Sequence, residues 1–120
     1  SSEDKAKETA GLFAKYYYTW RLADAISLTD ENMELRIRFL SSNVHKADIE
    51  VLHGATETPE IEVDDITMED DSNAIATVLL DNVYMMDTLG TKVHLYKDVK
   101  KKLKLKLKDA GWRVVSIEEN

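Results

Sequence analysis

At Pro59, the single proline of the chain, the spacing of the apolar residues changes from the period of about 3.6 that marks helices to the period of two that marks strands. The chain passes there from helices into a sheet. Before it, Ala6, Ala10, Phe13, Tyr17, Trp20 and Ala23 recur at three- and four-residue steps, which predicts one helix from about Asp4 to Ile26 with a single apolar stripe. Ser27 to Asn32 supplies cap-forming side chains. Met33, Ile37 and Leu40 then repeat the helical spacing until Ser41-Ser42-Asn43 interrupts it, a second and shorter helix. Val44, Ala47, Val51 and Leu52 carry the period on to Gly54, a left-handed stop, and predict a third short helix.

Beyond Pro59, Ile61 and Val63 alternate with Glu60, Glu62 and Asp64. Asp65 shifts the alternation before Ile66 and Met68, which marks a bulge, and Asp70-Asp71-Ser72-Asn73 is a turn cluster. Ala74 to Met86 is apolar on both faces and belongs in the middle of a sheet, with Asp81 and Asn82 its only interruptions. Asp87 to Gly90 is a turn or longer loop. From Lys102 to Lys108, Leu103, Leu105 and Leu107 face one way and the lysines the other; Asp109-Ala110-Gly111 closes a hairpin into Trp112 to Ile117, with Trp112 and Val114 on the leucine face. Helices first and strands afterwards spell an α+β fold: a long N-terminal helix and one or two short ones packed on a curved antiparallel sheet of about four strands. With 120 residues and no repeat or linker, residues 1–120 read as one domain.

The charge pattern narrows the partners. A net charge of −7 repels polyanions, so neither nucleic acid nor an anionic membrane is expected as a partner. Eight acids lie between Glu57 and Asp71 and seven lysines between Lys97 and Lys108, as complementary strands would require. The absence of cysteine excludes disulfides, thiolate nucleophiles and cysteine zinc sites. No apolar run is long enough to span a bilayer, and a start at Ser1-Ser2-Glu3-Asp4 without Met fits a trimmed chain whose targeting segment has been removed.

The order of helix, short helices and meander, closed by Leu103-Lys104-Leu105-Lys106-Leu107-Lys108-Asp109-Ala110-Gly111-Trp112-Arg113-Val114, resembles the NTF2-like, or cystatin-like, superfamily. Within it the chain is similar to small uncharacterised domains of exported proteins and lipoproteins of Bacteroides-type gut bacteria. The resemblance implies a cone-shaped cavity between helix and sheet, used by some members for catalysis and by many for binding or oligomerisation. It also implies a periplasmic or cell-envelope setting, as a lipoprotein with its signal segment removed.

Enzymes that share this fold use a cavity carboxylate or His as base beside a Tyr donor. Tyr16, Tyr17 and Tyr18 point about 100° apart around a helix, so one or two can face a cavity, or all can simply fill core and rim. Trp20 extends the same apolar body. Asp81 is the candidate base, since burial raises a carboxyl's pKa toward working pH; at a strand end it is merely solvated. Tyr84 lies on the opposite face of an ideal strand from Asp81. His45, His53 and His94 lack metal-pair spacing, the carboxylates form no EF-hand loop, and no glycine-rich phosphate loop exists, so neither metal nor cofactor is expected. The lysine strand lacks interleaved aromatics and reads as a solvated face.

Three functions follow. The favoured one is a noncatalytic binding or interaction domain whose partner is a small hydrophobic ligand, another protein or a second copy of the chain in a homodimer, with Tyr16, Tyr17, Trp20, Asp81 and Tyr84 as cavity residues. The second is an isomerase- or dehydratase-type enzyme using Asp81 and one of Tyr16, Tyr17 or Tyr84. The third is an immunity-type inhibitor acting through Glu57 to Asp71.

Overall fold

The computed structural model describes residues 1–45, 48, 52, 58–86 and 93–118. Helix α1 (Ser2–Tyr17) opens on a capping box in which the Asp4 N–H donates to Ser1 Oγ at 3.2 Å. It buries Ala6, Ala10, Phe13 and Ala14, and the alanines let the helix lie close to the sheet. The helix expected to reach Ile26 stops at Tyr17. Arg21 N–H donates to Tyr16 O at 2.8 Å and Trp20 N–H to Tyr17 O at 3.2 Å, the paired reversed bonds of a Schellman closure, with Trp20 at φ 66° where glycine is usual. The apolar stripe continues across this turn into α2 (Leu22–Ile26), so periodicity alone did not reveal the break. Helix α3 (Glu31–Asn43) starts at Asp30, whose Oδ1 accepts from Met33 N–H at 2.8 Å, and buries Met33, Ile37 and Leu40 as their spacing requires. The helix expected over 44–54 falls largely outside the described residues, as does the loop at 87–90.

The strands are β1 (Glu60–Asp70), β2 (Asn73–Asp81), β3 (Val83–Met86), β4 (Val93–Tyr96), β5 (Val99–Lys108) and β6 (Gly111–Ile117). An antiparallel sheet of four strands runs in the order β1-β2-β5-β6, and β3 pairs with β4 as a separate ribbon. The fold is therefore α+β: the described residues include the helices α1, α2 and α3 and a four-stranded antiparallel sheet, and the N-terminal helix is of ordinary length. Asp64 is the bulged residue of β1, since Val63 pairs with Val78 and Asp65 with Thr77. The Asp70 carboxylate closes the β1–β2 turn, its Oδ1 accepting from Ser72 N–H at 2.8 Å and Asn73 Nδ2 at 2.9 Å. In β2, Ala74, Ala76, Val78 and Leu80 are buried while Ile75, Thr77 and Leu79 are half-buried on the outer face. The opposite charges of β1 and β5 meet across β2 in the pair Lys100 Nζ to Asp64 Oδ2 at 3.6 Å.

Two left-handed residues facing each other split the long hairpin. Asn82 has φ 57° and Asp98 has φ 50°, the residue types that tolerate this region best after glycine. Asp81 Oδ1 accepts from Asp98 N–H at 3.0 Å, and Lys97 Nζ donates to Asn82 Oδ1. These paired corners end the β2–β5 ladder and send β3 and β4 away as their own ribbon.

Leu103, Leu105, Trp112 and Val114 share the core face of β5 and β6. Leu107, expected with them, is 42 % exposed. It pairs with Trp112 at the hairpin tip, where only the first turn of α1 reaches, through Trp112 Nε1 donating to Ser2 Oγ at 3.2 Å. Between α2 and α3, Val114 N–H donates to Leu28 O at 2.8 Å and Asp30 N–H to Val114 O at 3.2 Å, which fixes α3 against β6. The buried side chains form one cluster. Among the described residues no helix is long and apolar enough to cross a membrane.

Candidate functional site

A cavity of about 280 Å³ lies where the end of α1, the buried face of α3 and the β3–β4 ribbon meet the ends of β5 and β6. Each wall follows from local structure. The turn at Trp20 ends α1 at the tyrosines and leaves Tyr17 and Tyr18 as one wall. Helix α3 supplies Met33, Ile37 and Leu40 at four- and three-residue steps, with Arg36 beside them at the edge of the same stripe. The paired corners carry Met85 and Met86 from β3 and His94 and Tyr96 from β4 to the opposite side. Lys101, Ile117 and Glu118 complete the rim. The lining therefore combines thioethers, aliphatic groups and aromatic rings with two cations, one carboxylate and an imidazole.

Tyr18 is 4 % exposed, and its hydroxyl has no hydrogen-bond partner among the described residues. No fully inaccessible side-chain nitrogen or oxygen among them lacks a partner, so this hydroxyl opens onto the cavity instead of being sealed in the core. Burial, followed by the neighbouring Tyr17 and Tyr96 phenols, pushes the Tyr18 pKa well above its ordinary value, and the group stays a neutral donor. The Tyr17 ring stacks on Phe13 with centroids 5.3 Å apart and meets Tyr18 edge-on at 4.9 Å. Lys101 Nζ lies 5.3 Å from the centre of the Tyr96 ring. Arg36 is exposed and has no ion-pair partner among the described residues.

Of the residues singled out from sequence, Tyr17 lines the cavity. Tyr16 lies beneath the Arg21 guanidinium, 4.8 Å from its ring centre. Trp20 is 6 % exposed, and its indole N–H donates at 2.9 Å to the backbone carbonyl of Tyr84, tying the end of α1 to β3. Asp81 belongs to the corner, where its carboxylate holds the Asp98 N–H; it borders an outer groove with Glu62, Asp98 and Lys100. The structure does not bring Asp81 and a tyrosine hydroxyl together in the cavity.

Tyr18, weighed with its two neighbours but not singled out, lines the cavity too; sequence reasoning missed Arg36, Met85, His94, Tyr96 and Lys101 as cavity residues. Arg36 was findable, because a cation immediately beside the buried position Ile37 stands at the edge of the stripe. His94 and Tyr96 carried no signal, because the short run Val93–Tyr96 has no alternation of its own. The acidic stretch lies along the edge strand β1, with Glu57 outside the described residues. Compared with protein-family models and with curated proteins, the chain matches none.

Proposed function

We propose that this is a noncatalytic binding domain of NTF2-like architecture that receives a small, mainly apolar ligand in the cavity between α1, α3 and the β3–β4 ribbon. The observation that carries the reading is Tyr18: a phenol only 4 % exposed that lines the cavity, with a hydroxyl unused by the fold. The hydroxyl is not sealed in the core, and no hydrogen bond among the described residues uses it. A ligand acceptor gives that donor a use. The cavity stands at the small end of ligand pockets, which run from about 300 to 1,000 Å³, and its methionines adapt to varied apolar shapes. Against catalysis by the Asp81 pair stands the engagement of that carboxylate at the strand corner. The cell-envelope setting belongs to the same proposal and rests on the resemblance alone.

The methionines supply the test. Of the four, Met33, Met85 and Met86 line the cavity and Met68 lies on β1. Titration of methyl-labelled protein with a fragment set spanning neutral and charged aromatics is expected to shift the first three signals and leave Met68 in place. Shifts at Met68 alone, or none with any fragment, would contradict the proposal.

A further inference from the structure

The rim of the cavity has the opposite sign to the protein. In a chain with net charge −7 and 23 acids, the described rim holds Arg36 and Lys101 against the single carboxylate of Glu118, with His94 beside them. Local charge of this kind, next to low-dielectric walls, concentrates small anions even where the distant field repels large ones. Arg36 has no carboxylate partner among the described residues in spite of that abundance of acids. The cation and the donor line the same cavity: Lys101 Nζ sits 5.3 Å from the centre of the Tyr96 ring, and Tyr18 and Tyr96 are both among its lining residues. An ammonium, a guanidinium and a neutral phenol can all donate, and the two cations cannot accept.

On the cavity reading above, we infer that the ligand is a small carboxylate with an apolar body: the carboxylate meets Arg36, Lys101 and the Tyr18 hydroxyl, and the body lies on Met33, Met85 and Ile117. Filled at the packing density of a protein interior, the 280 Å³ space takes roughly a dozen non-hydrogen atoms, the size of a bicyclic aromatic acid or a medium-chain fatty acid. Sulfur–aromatic contact with the methionines suits the aromatic member of that pair. Glu118 sets a limit on the ligand's charge, since it repels a second carboxylate at the same rim.

The experiment compares naphthoate with naphthamide and naphthylmethylammonium, three probes of one shape and different charge, by calorimetry and by the methionine methyl signals. Naphthoate is expected to bind about tenfold or more tightly than the amide, a difference of about 1.4 kcal/mol, and the ammonium probe not at all. Arg36→Gln and Lys101→Gln should each weaken naphthoate about tenfold and leave the amide unchanged. Tyr18→Phe should weaken naphthoate with no loss of thermal midpoint, because the hydroxyl has no partner within the fold. Equal affinity for acid and amide with the cavity methyls shifted overturns the carboxylate inference and leaves the binding reading standing. Failure of all three probes while other fragments shift Met33, Met85 and Met86 does the same. Silence of those methyls toward the three probes and every other fragment overturns both.

Discussion

The left-handed turn at Trp20 gives an unusual order of mutant stabilities. Trp20 is 6 % exposed, sits at φ 66° and donates from its indole N–H to Tyr84 O at 2.9 Å. Truncation to alanine removes a large buried side chain and leaves that carbonyl without its donor, for a loss of about 3–5 kcal/mol. Alanine keeps the left-handed backbone, which costs an L-residue about 1–2 kcal/mol, whereas glycine sheds it. Glycine loses part of that gain to its freer unfolded chain, about 0.5–1 kcal/mol. The expected order is therefore wild type, then Trp20→Phe at about 1–2 kcal/mol for the lost hydrogen bond and the smaller ring, then Trp20→Gly, with Trp20→Ala last by about 0.5–1 kcal/mol. Urea unfolding reads this directly, because Trp112 is buried at 3 % exposure and remains as the fluorescent reporter in every variant. At an ordinary helical position alanine beats glycine. A Trp20→Ala protein as stable as Trp20→Gly would refute the closure of α1 at this turn.

Other sites give simpler expectations. Gly11 lies inside α1, and a Cβ there would stand 3.6 Å from Val63 Cγ2, an ordinary contact, so Gly11→Ala should raise stability by about 0.5–1 kcal/mol and the thermal midpoint by about 2–4 °C. The Tyr18 pKa is raised above its ordinary 10.0. Its contribution is thus fully present below pH 10 and is lost as the pH rises toward the folded-state value; alkaline unfolding curves should fall less steeply for Tyr18→Phe, by up to about 1.4 kcal/mol per pH unit. Asp81→Ala removes the acceptor of the Asp98 N–H and should cost about 0.5–1.5 kcal/mol in denaturant melts while leaving ligand affinity unchanged. A loss of binding without a loss of stability would make Asp81 a site residue after all.

The layered order of the fold was legible because periodicity reports burial. The stripe Met33, Ile37, Leu40 and the leucines of β5 announced their elements, and the break at Asp65 announced a bulge one residue away, at Asp64. What escaped was everything set by tertiary partners. The stripe Phe13, Tyr17, Trp20 runs smoothly through a turn that only the Tyr84 carbonyl and the reversed bonds to Tyr16 and Tyr17 reveal. Asp81 and Asn82 looked like polar intrusions in a strand, and their meaning depends on Asp98 seventeen residues away. The cavity draws on six elements, so its composition could not be read along any one of them. Of the residues singled out from sequence, Tyr17 lines the cavity, and Tyr18, weighed beside it, lines it as well.

On the reading proposed above, ligand binds in the cavity beside Tyr18. That claim is tested most directly by following the four methionine methyl signals while naphthoate is added. The account predicts saturable shifts of Met33, Met85 and Met86, with Met68 unmoved and the shifts weakened in Tyr18→Phe. Shifts centred on Met68, or the same curve in Tyr18→Phe as in the wild type, would contradict it.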